Sequence, residues 1–109
     1  MQPVTLPEPI AAYFRADSDD PQAVSTCFTK DAQVRDEGHT YDGRAAIQAW
    51  KDDSASRYRY IATPIALEKA DRSHVVTARV VGDFPGSPVD LRYSFMLERG
   101  KIASLEIGA

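Results

Sequence analysis

The residues best suited to proton transfer lie close together in the first half of this chain. Asp36 follows Val34 in a short segment where apolar and polar residues alternate, which is typical of a strand with one inward face. A carboxylate that faces an apolar interior loses hydration, and this raises its pKa towards the range where it can act as a general base. Alternatively, Asp36 caps the following turn at Gly38. A third interpretation is an ion pair with Arg35 or Arg44.

His39 lies near Asp36 in a turn-rich segment, and a neutral imidazole there could relay a proton to or from the carboxylate near neutral pH. The simpler alternative is a histidine on a surface turn. Asp36 and His39 are only two candidate metal ligands, and the sequence offers no third ligand to match them, so a metal centre is not predicted. The sequence also has no phosphate-binding loop and no glycine-rich dinucleotide motif. We therefore expect no metal and no cofactor.

Two tyrosines, Tyr13 and Tyr93, carry hydroxyls that can donate a hydrogen bond to an oxygen on which negative charge develops. Removal of a proton next to a carbonyl creates such an oxygen, so a carboxylate and a phenol together favour enolate chemistry. Both tyrosines also lie on stripes typical of core, where a buried hydroxyl usually bonds to a neighbour. Both interpretations stay open.

A further set of aromatic residues is suited to a flat apolar ligand. They could line a cavity or form ordinary core, and they are Phe14, Trp50, Tyr58, Tyr60 and Phe95. Cys27 is predicted to be buried filler rather than a nucleophile, because no base lies beside it in the sequence.

Hydrophobic periodicity predicts the elements that position these residues. Ile10, Tyr13 and Phe14 have the spacing of an amphipathic helix, which the acidic run 17–20 is predicted to end. The same spacing predicts a second, shorter helix over residues 21–28. A third helix follows residues 42–43 and fades at residues 52–54.

The second half of the chain changes to a period of two, which predicts four consecutive strands from Tyr58 onward. The phase slips at Thr63-Pro64, where a bulge or sheet edge is expected. Residues 37–43 are rich in turn formers and are predicted to form a loop. These elements predict an α+β fold with three N-terminal helices on one face of a bent antiparallel sheet.

Length and charge limit the class of protein. The chain has 109 residues, with 13 Lys and Arg against 16 Asp and Glu, which gives a formal charge of −3. We expect one domain over residues 1–109, large enough for a core without disulfides. No apolar run approaches the ~18 residues of a membrane span, and no signal peptide is recognisable, so the expected location is cytoplasmic. Without a basic cluster, neither nucleic acid nor a membrane is an expected partner.

Two segments together resemble a known family. Residues 28–36 and 41–47 resemble the F-x-x-D-A-x-V and G-x-x-A-I signature of the NTF2-like superfamily, in its SnoaL-like branch. The order of elements and the hairpin at residues 100–102 also fit, so the resemblance covers nearly the whole chain. It implies a cone-shaped fold in which a strongly curved sheet wraps the first helix and leaves an apolar pocket at the open end. It also implies a homodimer formed through the outer face of the sheet.

Ketosteroid isomerase, one member of the superfamily, implies roles for three positions. Asp36 falls where that enzyme keeps its general base, and Tyr13 falls near its oxyanion donor. Tyr93 stands where that enzyme keeps a protonated Asp as a second donor. The superfamily also contains cyclases, hydrolases, dehydratases and binding proteins, so the fold alone leaves the function open. We predict a lyase, isomerase or cyclase for a small hydrophobic carbonyl substrate, or alternatively a non-catalytic ligand-binding or dimerisation module.

Overall fold

The computed structural model describes residues 4–108, which contain helical segments in the first half and strands in both halves. The helical segments are α1 (Glu8–Asp19), a 3₁₀ helix (Pro21–Cys27) and α2 (Gly43–Arg57). The strands are β1 (Phe28–Asp36), β2 (His39–Asp42), β3 (Tyr60–Ala70), β4 (Ser73–Gly82), β5 (Val89–Glu98) and β6 (Lys101–Gly108). This order confirms the predicted α+β class. Within residues 4–108, none of the helices has both the length and the apolar character needed to cross a membrane.

The six strands form one sheet in the order β2-β1-β6-β5-β4-β3. Neighbouring strands are antiparallel except for β1 and β6, which run parallel. The expectation of a wholly antiparallel sheet was therefore wrong for this pair. The period of two identifies a strand and its buried face, but it carries no information about the direction of a distant partner. The predicted phase slip is confirmed as a register shift between Pro64 and Ala66.

Two further predictions about the first half need correction. The second of the three predicted helices is a 3₁₀ helix, whose i→i+3 bonding suits a short connector such as this one between α1 and β1. Part of the predicted loop 37–43 is strand β2, which pairs with β1 across a tight turn. Glu37 and Gly38 in that turn have φ of 52° and 78°. Positive φ at both central residues matches the twist of a two-residue hairpin.

The core lies between the helices and the face of the sheet that they cover. Helix α1 begins directly after Pro7, with Pro9 in its first turn, where the missing amide hydrogen breaks no helical bond. Its apolar stripe packs onto the sheet as the spacing predicted. The fully buried side chains include Ile10, Tyr13, Val24, Phe28, Val34, Ile47, Val76, Phe95 and Ile102. This single cluster connects both halves of the described chain.

Candidate active site

Asp36 lies at the end of β1 on the face of the sheet that the helices cover. Its partner on β6 is Ile107, which in turn pairs with Tyr93 on β5, and Tyr93 pairs with Val76 on β4. Directly paired residues point to the same side of a sheet. Because Val76 is fully buried and Tyr93 is 4% exposed, this row faces the core. The inward orientation expected from the alternation is the one that the structure has.

Trp50 holds the Asp36 carboxylate in place from helix α2. Its indole Nε1 donates a hydrogen bond to Asp36 Oδ2 at 3.0 Å. In the described residues, neither neighbouring arginine forms an ion pair with Asp36: Arg35 is exposed, and Arg44 Nε donates to the Phe28 carbonyl at 3.0 Å. The carboxylate is thus oriented by a neutral donor rather than neutralised by a cation.

The environment of Asp36 favours its protonated form. Partial burial raises the pKa of Asp36, and the nearby Glu37 carboxylate raises it further. The indole hydrogen bond and the ammonium of Lys51 act in the opposite direction, but the pKa remains above its usual value. A carboxylate with a raised pKa is a stronger base than an exposed one, which is the property that proton abstraction requires.

The two candidate donors, Tyr13 and Tyr93, are buried in the core. Burial raises the pKa of Tyr13 and of Tyr93, and the carboxylates of Asp17 and Asp36 add to both effects. Both phenols therefore keep their protons and remain donors. The hydroxyl of Tyr13 is buried and has no hydrogen-bond partner in the described part of the chain. Its ring centroid lies 6.4 Å from that of Tyr93.

Replacement of Tyr13 by Phe tests this unpartnered hydroxyl. A buried polar group without a partner costs about 1–3 kcal/mol, so Tyr13→Phe is expected to raise the free energy of unfolding in urea. Tyr60→Phe is the matched control, because the Tyr60 hydroxyl bonds to two side chains and its loss should lower stability. A less stable Tyr13→Phe protein would show that the hydroxyl has a partner in solution.

The predicted ligand-lining residues divide into three groups. Phe14 and Phe95 pack with Tyr13 and Tyr93 at centroid distances of 5.1–6.4 Å, which fills the space between α1 and β5. Trp50 and Tyr60 instead contact polar groups. Trp50 donates to Asp36, and the Tyr60 hydroxyl bonds to Lys51 and Asp17. Tyr58 is 39% exposed, and its ring packs on Phe84, with the centroids 6.2 Å apart.

His39 is not in a loop but on β2, where its Cα lies opposite that of Asp36. Its side chain is exposed. Two surface depressions of about 280 and 500 Å³ lie along α1, the 3₁₀ helix and α2, and no predicted site residue lines either of them. Within residues 4–108, no three His, Cys, Asp or Glu side chains are arranged to hold a metal ion.

Sequence reasoning missed a buried polar cluster of three residues: Asp17, Lys51 and Tyr60. The Lys51 ammonium forms an ion pair with the Asp17 carboxylate and donates to the Tyr60 hydroxyl at 2.8 Å. The Tyr60 hydroxyl donates to Asp17 Oδ1 at 2.9 Å. Only 3% of the Lys51 side chain and 1% of the Asp17 side chain are exposed. We name this group the Asp17–Lys51–Tyr60 cluster.

A signal for this cluster was present in the sequence. Asp17 lies four residues after Tyr13, and Lys51 lies four residues after Ile47, so both charges fall on the buried side of their helices. A charge on a buried stripe needs a partner. Two such charges of opposite sign on two helices predict an ion pair between them.

Several proteins of known structure are similar to this chain. The sequence matches no protein-family model and no curated protein. A candidate polyketide cyclase from Sinorhizobium meliloti is 42% identical, with 94% of this chain and 95% of that chain covered and a TM-score of 0.89. A protein with a ketosteroid isomerase-like fold from Catenulispora acidiphila, solved with trimethylamine, is 23% identical over 96% and 87% of the two chains, with a TM-score of 0.84. An NTF2-like protein of unknown function from Cytophaga hutchinsonii is 10% identical over 99% and 93%, with a TM-score of 0.75.

The fold and the inward carboxylate define an α+β domain of the NTF2-like class. The 42% identity to the S. meliloti protein extends over nearly the full length of both chains and identifies the family. The chain belongs to the NTF2-like superfamily, in its SnoaL-like, polyketide cyclase-related branch.

Proposed function

We propose that this protein is a SnoaL-like lyase, isomerase or cyclase in which Asp36 removes a proton next to a carbonyl of a small hydrophobic substrate. The observation that carries the proposal is the half-buried Asp36 carboxylate, which faces the core and accepts the Trp50 indole hydrogen bond at 3.0 Å. The 42% identical relative is a candidate polyketide cyclase, which supports chemistry on a carbonyl compound.

In the proposed reaction, Asp36 accepts the proton from carbon while Tyr13 or Tyr93 donates a hydrogen bond to the enolate oxygen. Trp50 keeps the carboxylate oriented, and His39, exposed opposite Asp36, exchanges the proton with solvent. Tyr13 is fully buried, and its ring packs with those of Phe14, Phe28, Tyr93 and Phe95. A ligand reaches its hydroxyl only if this aromatic packing opens, so we infer that substrate binding moves at least one of these rings.

A non-catalytic ligand-binding or dimerisation module is the alternative function. The close packing of Phe14, Tyr93 and Phe95 favours the dimerisation form of this alternative, because these rings occupy the space that any bound small molecule would need. The two functions differ in one testable respect. A binding module takes up a ligand without removing a proton from it.

Hydrogen exchange at carbon separates the two without knowledge of the product. Small hydrophobic ketones and diketones are incubated with the protein in D₂O, and deuterium uptake next to the carbonyl is measured by NMR. The proposal requires catalysed uptake for at least one compound that also binds. Compounds that bind without catalysed uptake would establish the binding module instead.

We propose in addition that the chain forms a homodimer through the outer face of the sheet. Ile61 and Val81 are paired across β3 and β4 on that face and are 61% and 52% exposed. Contiguous apolar residues on an exposed sheet face mark a contact surface. The protein is expected to sediment as a dimer at micromolar concentration, and Ile61→Lys is expected to shift it towards the monomer. A wild-type monomer under these conditions contradicts the proposal.

A further inference from the structure

The Lys51 ammonium is surrounded on several sides. It contacts the Asp17 carboxylate and the Tyr60 hydroxyl, and it lies 4.4 Å from the centroid of the Trp50 ring. The Tyr13 ring centroid is 5.7 Å away. The other two residues of the Asp17–Lys51–Tyr60 cluster therefore fix the ammonium in position. There it lies against the Trp50 ring, whose Nε1–H donates to Asp36.

We propose that Lys51 is a positioning residue for Asp36: its ammonium, anchored by Asp17 and Tyr60, keeps the Trp50 indole N–H on the Asp36 carboxylate and supports the ionised form of that carboxylate. The catalytic consequence of this inference rests on the proposed function, in which Asp36 is the general base. The link between Lys51 and Asp36 itself is a physical property that can be measured without any reaction.

The energetics of the cluster argue for a role other than stability. Removing two charges from water costs several kcal/mol per ion, and replacing such a pair by apolar residues is often neutral or stabilising. Asp17 and Lys51 are both almost fully buried, so their attraction offsets a large desolvation cost. Apolar side chains at both positions would fill the same space at no such cost.

The position of the ammonium gives it two effects on Asp36. A cation over the face of an indole ring is attracted by the ring, and it draws electron density from the ring, which strengthens Nε1–H as a donor. Because Lys51 directly follows Trp50 in α2, the two side chains would normally point in different directions. The long Lys51 side chain brings Nζ back to within 4.4 Å of the ring centroid, which restricts the indole to the orientation that reaches Asp36.

The other charged and titratable groups around Asp36 do not supply this effect. Glu37, in the adjoining turn, raises the pKa of Asp36, whereas Lys51 lowers it. The exposed His39 lies opposite on β2. The Asp36 carboxylate also acts electrostatically on Tyr13 of α1, Tyr60 of β3 and Tyr93 of β5, and burial keeps these three phenols protonated. Asp17 on α1 is paired with Lys51 itself.

The proposal can be tested by NMR. The chain has a single tryptophan, Trp50, so its indole N–H gives a single resonance. In the wild-type protein this resonance is expected to follow the ionisation of Asp36 as the pH is varied. The test variant is Asp17→Asn with Lys51→Met, which removes both buried charges and leaves neither unpaired. Its indole titration should have a midpoint at higher pH than wild type, and its resonance at high pH should lie upfield.

Lys101→Met is the matched control, because Lys101 is exposed and donates to the Thr26 carbonyl, which does not belong to this cluster. It should leave the indole titration unchanged. Tyr60→Phe, which removes one anchor of the ammonium but keeps both charges, should shift the midpoint in the same direction by a smaller amount. If the double variant fails to fold, Tyr60→Phe decides the question. An unchanged indole titration in a folded variant of either kind overturns the proposal.

These readouts are independent of turnover, so the inference can fail while the proposed function holds, or the reverse. Where a reaction is found, loss of Lys51 and Asp17 should move the acid limb of the pH–rate profile to higher pH. Turnover should then fall more at low pH than at high pH. An equal loss at every pH would assign the cluster to folding alone.

Discussion

Asp36→Asn is expected to lower turnover by about 10²–10⁴-fold, the range that a positioned general base contributes. The asparagine has nearly the same shape, and its side-chain oxygen can still accept the Trp50 hydrogen bond, but it cannot take a proton from carbon. The measurement is the initial rate with any compound that shows catalysed deuterium uptake. Binding of the same compound, followed by the Trp50 indole resonance, should be nearly unchanged.

The same variant has a predictable effect on stability. Burial raises the pKa of Asp36 above its ordinary value of 3.8, so the folded protein binds this proton more tightly than the unfolded chain. Protonated Asp36 therefore stabilises the folded protein at pH values below the pKa that Asp36 has in the unfolded chain. This stabilisation is lost as the pH rises through the pKa that Asp36 has in the folded protein. The asparagine does not ionise, so near neutral pH Asp36→Asn should be at least as stable as wild type. This advantage should disappear below pH 3.8.

Asp36 as a general base and Asp36 as a structural residue thus predict different combinations of turnover and stability in Asp36→Asn. A base loses turnover and keeps or gains stability, because an ionisable group in a partly buried position is tolerated for its chemistry. A structural residue that caps the β1–β2 turn would lose stability when changed. If turnover and melting temperature fell together in Asp36→Asn, Asp36 would belong to the scaffold.

The inward orientation of Asp36 could be predicted because a strand has a sharp rule. Side chains alternate with a period of two, so once Val34 faces the core, Asp36 must face it as well. The stripe of Ile10, Tyr13 and Phe14 was equally informative for α1. These local patterns are enough for the class of fold and for the buried face of most elements.

Contacts between distant elements could not be predicted in the same way. Periodicity shows that a residue is buried, but not which residue of another element it meets. The parallel pairing of β1 with β6 and the ion pair between Asp17 and Lys51, 34 residues apart, both depend on how whole elements pack. For the same reason Phe14 and Phe95, suitable for a cavity wall by type, pack against each other with centroids 6.0 Å apart.

Tyr58 shows how a small error in an element boundary changes a predicted role. The sequence placed it at the start of the first of the four consecutive strands. In the structure α2 extends to Arg57, Tyr58 follows as its C-cap, and β3 begins at Tyr60. Outside the strand, the alternation rule no longer applies, and the Tyr58 ring lies at the surface against Phe84.

Lys51→Met alone is expected to destabilise the protein by about 3–5 kcal/mol, the usual cost of removing one partner of a buried ion pair. The change leaves the Asp17 carboxylate buried with only the Tyr60 hydroxyl as a hydrogen-bond donor from the cluster. The measurement is urea unfolding near neutral pH. Methionine fills most of the lysine volume, so the loss reports the missing charge rather than a cavity.

The double variant, Asp17→Asn with Lys51→Met, separates the cost of an unpaired charge from the value of the pair. With no buried charge left, it is expected to recover most of the stability that Lys51→Met loses, and the double-mutant cycle should show strong coupling. If the double variant were as unstable as Lys51→Met alone, the ion pair would hold α1 and α2 together by its net energy. Recovery of stability together with a displaced indole titration would show that these charges add little net stability and act on Asp36 through Trp50.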